Sequence, residues 1–246
     1  MREILADLVA EQQALDQMLQ RAPERDWKKP TRAKGWTVQD TISHLAWSED
    51  HALHALQGER KHLRAIAGSS SIEGFNQQGV DAGRGKRPQE VIEWWRFSRA
   101  SVVDSLSRCG STDRIPWMVG DMSARTFATF RLMETWAHGL DIRAALGRED
   151  EDTARLRHIA WLGWATLPYA FEQAKETYPG PIRVELSGPG YARWVFGPQD
   201  SDQTIKGNAG DWCRLVVHRM SPAEATSLTA TGETAETALR VARIFP

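Results

Sequence analysis

The stretch RLMETWAHGLDIRAALG, residues 131–147, decides how the rest of the chain is read. It has the composition of a helix and ends on Gly147, a residue suited to a helix stop. Followed at helical spacing from Phe127 and Phe130, one face meets Glu134, His138 and Asp141 before it returns to Ile142 and Ala145. Three ionisable groups thus stand where a bundle helix normally carries Leu or Val. Burying an ionised carboxylate without a counter-charge costs roughly several kcal/mol, so this face calls for a compensating charge. A divalent cation supplies one if enough ligands converge on it. Glu134 and His138 are four residues apart and leave the same side of a helix, so a carboxylate oxygen and an imidazole nitrogen reach a common point. Helical zinc motifs place two histidines in the same way.

Zinc usually takes at least three protein ligands, and a third must come from another helix. The segment GWTVQDTISHLAWSEDHALHALQG, residues 35–58, opens with Thr37 and Asp40 spaced as a capping box. It carries an apolar stripe of Ile42, Leu45, Ala46, Ala52, Leu53 and Leu56, and it stops at Gly58. It offers His44, His51 and His54. His44 and His51 are about 10.5 Å apart along a helix axis, too far for both to bind one ion with bonds of about 2 Å. His44, in DTISHLAW beside Ile42 and Leu45, is the candidate for the interior; His51, in the polar run SEDHALHAL, reads as solvated. Asp141 has two readings, as a partner that orients His138 or as a partner of Arg131 or Arg143. Spacing alone also fits hydrogen-bonded histidines with no metal.

Outward from these segments the chain divides near residue 150. Before it, apolar residues at helical spacing predict helices over 2–20, 37–58, 88–109 and 123–147, with Pro88 and a Ser123 cap marking two of the starts. The Gly- and Ser-rich residues 68–87 read as a loop with one short helix at most. After it, a fifth helix is expected over roughly 151–176, bent or broken at Pro168. IRVELS and YARWVF alternate around a GPG turn as a hairpin, and QTIKG and TSLTAT read as further strands. AGDWCRLVVHRM and ETAETALRVARIF read as helices. The expected fold class is α+β, with a helical domain over 1–150 and a small α+β domain over 151–246.

Two segments resemble a known family. GWTVQDTISHL matches a Trp-x-x-x-Asp-x-x-x-His-Leu run through Trp36, Asp40, His44 and Leu45, and ETWAHGLDIRAALG matches Glu-x-x-x-His-x-x-Asp through Glu134, His138 and Asp141. Both are signatures of the mycothiol-dependent maleylpyruvate isomerase family, within the DinB-like (YfiT-like) metalloproteins. The resemblance implies a DinB-like four-helix bundle followed by a sterol-carrier-like α+β domain. It implies a divalent metal, zinc above all, on His44, Glu134 and His138, and a low-molecular-weight thiol such as mycothiol as co-substrate. The implied activity is a thiol-dependent isomerase or S-transferase acting on a small electrophile. Such substrates are carboxylates, and the family places a cationic arginine from the C-terminal domain near them; Arg214 and Arg219, both in WCRLVVHRM, are the candidate catalytic residues. That segment departs from the family's pattern, which leaves the substrate open.

The same ligand set also supports other readings: a hydrolase that activates water, or a metal-stabilised module that binds a ligand without turning it over. Composition narrows the partners. With 31 Lys and Arg against 32 Asp and Glu, the net charge of −1 gives no reason to expect nucleic acid. No apolar run approaches the roughly 20 residues that cross a bilayer, and the charged N-terminus lacks a signal-peptide core. A cytoplasmic protein, as a monomer or homodimer, is the expectation. Two cysteines, Cys109 and Cys213, are too few for a disulfide framework. Eleven tryptophans are unusual and fall near the segments above; most suit packing, and a few suit the wall of a pocket.

Overall fold

A computed structural model describes residues 1–69, 71–118 and 120–245. The chain is α+β and forms two compact units, Met1–Asp150 and Glu151–Pro246. In the first, four long helices are α1 (Arg2–Gln20), α2 (Val38–Leu56), α5 (Pro88–Ser107) and α6 (Ala124–Leu146). Between α2 and α5 come α3 (Arg60–Ser69) and α4 (Ile72–Arg84). Helices α1 and α2 each pack against both α5 and α6, closing a ring of four. Leu15, Leu19, Ile42, Leu45, Val91, Trp95 and Ile142 fill part of it.

Local chemistry fixes the ends of the helices that matter here. Thr37 Oγ1 accepts from the Asp40 amide while Asp40 Oδ2 accepts from the Thr37 amide, the reciprocal box that starts α2. Ser123 Oγ accepts from the Thr126 amide to start α6, and Gly147 ends it at φ 63°, a left-handed conformation that suits glycine. Strands β1 (Arg114–Ile115) and β2 (Met122–Ser123) pair just ahead of α6. The buried carboxylate of Asp16 on α1 takes hydrogen bonds from Arg96 and Arg99 on α5. Burial alone would raise its pKa; those two guanidiniums bring it below the ordinary value.

The reading of 68–87 as a loop is corrected. Apart from residue 70, which lies outside the described residues, most of it is helix α4, started by Ser71 Oγ accepting from the Gly74 amide. The glycines that suggested a loop do a different job. Gly79 and Gly83 are one turn apart and face α2, where an added Cβ would meet Trp47 at 2.9 Å and Ser43 Oγ at 1.8 Å. Their missing side chains let α4 lie close on α2.

In the second unit the helix expected over 151–176, bent or broken at Pro168, is two helices, α7 (Leu156–Ala165) and α8 (Leu167–Gln173). The break falls at Thr166, because Pro168 sits in the first turn of α8, where its missing N–H does no harm. Strands β3 (Arg183–Ser187), β4 (Arg193–Phe196), β5 (Thr204–Asn208) and β6 (Thr229–Thr231) form one sheet in the order β4-β3-β5-β6. The β3–β4 pair is the hairpin read from the sequence; β5 runs parallel to β3 and β6 antiparallel to β5. Helix α9 (Ala209–Val216) packs on β3 and β5, and α10 (Glu233–Val241) on β5 and β6.

Gly83→Ala is expected to destabilise the protein by about 1–3 kcal/mol, the usual cost of overpacking, although alanine is the better helix former. Gly85→Ala, where an added Cβ meets nothing within 4 Å, is the control and stays near wild type in urea denaturation. Equal stability of the two variants would show that the close approach of α4 to α2 is not required.

Candidate metal centre

The ring of four helices sets α2 against α6 and brings His44 to the face that carries Glu134 and His138. One ligand atom from each of the three lies within 4.8 Å of the other two. His44 Nε2 is 3.5 Å and His138 Nε2 3.7 Å from Glu134 Oε2, and the two imidazole centroids are 4.8 Å apart, edge to face. His44 is buried, while Glu134 and His138 keep 22% and 14% of their side chains exposed, so the group opens to one side. Trp36 walls it, with ring centroids 5.1 Å from His44 and 6.2 Å from His138.

Asp141, 2% exposed, places Oδ2 3.4 Å from His138 Nδ1. That position suits a carboxylate that holds the ring with Nε2 toward Glu134. Asp40, the other acidic residue of the signature, is spent on the α2 cap and on Arg84, 3.3 Å away. Among the described residues, His44 Nδ1 is buried without a hydrogen-bond partner, and His138 Nδ1 meets Asp141 as an ion-pair contact rather than a formed hydrogen bond.

The electrostatics favour the proton-free forms of Glu134 and His44 that a cation requires. Burial opposes ionisation of Glu134, yet His44, His138 and Arg131 outweigh it and bring its pKa to about 2. Burial is also the main reason that the pKa of His44 lies below the ordinary histidine value. An ionised carboxylate, two imidazoles held apart by hydrogen-bond-length gaps and an open side make a donor set that fits a divalent transition metal.

Two participants were not legible. Arg131, one turn before Glu134, is buried; its Nη1 donates to Ser48 Oγ at 2.7 Å and its guanidinium lies 5.0 Å over Trp117 and 5.6 Å over Phe127. Glu49 is 1% exposed, and burial raises its pKa to about 7. Arg131 is shown to be inside only by its contact with Ser48 across the α2–α6 packing, and Glu49 escaped because SEDHALHAL looks like a solvated run. The reading of His51 as solvated is corrected for the same reason: at 5% exposure it is as buried as His44. Helix α2 is covered by α4 as well as by α5 and α6, so it has little outer face left.

Of the arginines singled out in the C-terminal segment, both belong to the second unit. Arg214 Nη1 and Nη2 donate to Asp152 at 3.1 and 2.8 Å, and Arg219 Nη1 donates to the Val217 carbonyl. Cys213 is fully buried and its thiol pKa is pushed well up by burial; burial also raises that of Cys109.

Residues 8–143 match the family model described as Mycothiol maleylpyruvate isomerase N-terminal domain. Two relatives, each described as an uncharacterized protein, from the CDC 1551 / Oshkosh and H37Rv strains of Mycobacterium tuberculosis, are 37% identical over 243 residues, spanning 98% of this chain and 94% of theirs. The crystal structure of the mycothiol-dependent maleylpyruvate isomerase superposes with a TM-score of 0.60 at 16% identity, over 93% of this chain and 92% of that one. A histidine-to-alanine mutant of that isomerase gives 0.61 at 15%, with the same coverage. At such identities the likeness is one of fold.

Because the folded pKa of Glu134 is depressed, its contribution to stability is full above the ordinary value of 4.5 and is lost as pH falls toward about 2. In chelator-treated protein, the stability of the wild type relative to Glu134→Gln should therefore decline over that window. A difference that stays constant with pH in urea denaturation would refute the ionised, charge-compensated glutamate.

Proposed function

We propose that this chain, which belongs to the mycothiol maleylpyruvate isomerase family, is a divalent-metal enzyme that uses a small external thiol to isomerise, or to be transferred onto, an electrophilic substrate. The observation that carries the reading is the convergence of His44, Glu134 and His138 within 4.8 Å on a partly open face. His44 and His138 would hold the ion through Nε2 and Glu134 through Oε2, with zinc the metal that this donor set suits best. When bound, such an ion supplies the positive charge that keeps a thiol ionised at neutral pH.

The chain's own side chains have separate tasks. Asp141 keeps the His138 ring turned so that Nε2 faces Glu134. Trp36 covers the two imidazoles and limits water at their faces. Arg131 offsets the negative charge of Glu134 from within the helical unit. The chain's two cysteines are held as neutral thiols, so the nucleophilic sulfur comes from outside. In the isomerase form its sulfur bonds to one carbon of an activated double bond and the adduct rotates about the resulting single bond. The carbon–sulfur bond then breaks, giving the other isomer and the thiolate again. Arg214 and Arg219 are proposed, on the family resemblance, as the cations that receive a substrate carboxylate.

Elemental analysis of purified protein should find a divalent metal in the wild type and about one equivalent less in His138→Ala. The wild type loaded with zinc should turn over a reactive electrophile with mycothiol, bacillithiol or glutathione, and the stripped protein should not. A metal content that His138→Ala leaves unchanged would overturn the ligand set; a loaded protein inert with every thiol would overturn the activity. Asp141→Asn should weaken zinc binding by about 10–100-fold, read by competition with a chromogenic chelator, and an unchanged affinity would remove Asp141 from its positioning role.

A further inference from the structure

Outside the triad, α2 and α3 bring a second group of histidines together. His51 and His54 lie one turn apart on α2, and His62 on α3 sits between them, with ring centroids 5.2 Å from His51 and 4.1 Å from His54. The His51 and His54 centroids are 6.1 Å apart. We propose that His51, His54 and His62 form a second site for a divalent transition metal, distinct from His44, Glu134 and His138.

Three features support it. Imidazoles that share one tetrahedral ion, with bonds of about 2.0–2.1 Å to nitrogen, have centroids about 5 Å apart, and the three separations here bracket that value. Ligating histidines commonly engage their other ring nitrogen with a carbonyl or carboxylate, which fixes the tautomer. His51 Nδ1 meets the Trp47 carbonyl at 2.8 Å, and His54 Nδ1 meets Glu59 Oε2 at 2.8 Å, so each ring keeps Nε2 for an ion. His62 Nε2 is buried without a hydrogen bond. On one side Trp47 and Phe75 pack on His51, at 4.4 and 5.1 Å between centroids; on the other, His54 and Glu59 are exposed and leave an entry path. The three ring nitrogens do not all lie within 4.8 Å of one another, as the triad's ligand atoms do, so an ion would draw them in by side-chain rotation. Imidazole donors select zinc, nickel or copper over magnesium or calcium.

The test uses full-length protein stripped with chelator and titrated with Zn2+ by calorimetry, in a His138→Ala background that disables the triad. That protein should bind one equivalent, and the addition of His54→Gln, an exposed change with little consequence for folding, should abolish it. His62→Gln should do the same, with helical circular dichroism checking that each variant is folded. No binding in His138→Ala, or binding that survives both glutamine substitutions, would overturn the second site. Either result leaves the triad to be judged by the metal lost between wild type and His138→Ala.

Discussion

The packing of α2 on α6 governs this molecule's chemistry, because it sets a buried imidazole opposite a carboxylate and a second imidazole. Such a contact is unfavourable if the groups stay uncompensated, since charge taken from water must find a partner. The helices therefore carry compensation as part of their packing: Arg131 lies one turn along α6 from Glu134 and donates to Ser48, one turn along α2 from His44. Triad and arginine together make the α2–α6 seam a polar strip.

The rest of the helical unit can be understood as support for that strip. The capping box at Thr37 and Asp40 fixes where α2 begins, and so the phase at which His44 faces α6. The Ser123 cap does the same for α6. On the far side, the Asp16 carboxylate ties α1 to α5 through Arg96 and Arg99. Helix α4 closes over α2 through two glycines, and this closure buries Ser43 and helps to enclose the run that contains Glu49 and His51. The chain belongs to the mycothiol maleylpyruvate isomerase family, and the thiol reaction proposed for it would take place at this seam. Of the chain's own cysteines, Cys213 is buried and Cys109 half-buried, and burial raises the pKa of both thiols.

The sequence by itself determined the long helices and the hairpin, because both are written locally. Apolar period, a Thr or Ser cap and a terminal glycine delimit α2 and α6 within a residue or two, and alternation around GPG delimits β3 and β4. It also determined the pair Glu134 and His138, since a spacing of four puts both on one face whatever surrounds the helix. Only the tertiary structure decided which polar residues are inside. Gly79 and Gly83 look like loop residues until α2 is placed against them. Glu49 and His51 look solvated until α4 and α6 cover them, and the burial of Arg131 shows only once α2 lies against α6. His62 gains meaning only beside His51 and His54. Burial belongs to what lies across the gap, in elements distant along the chain, and no local pattern records it.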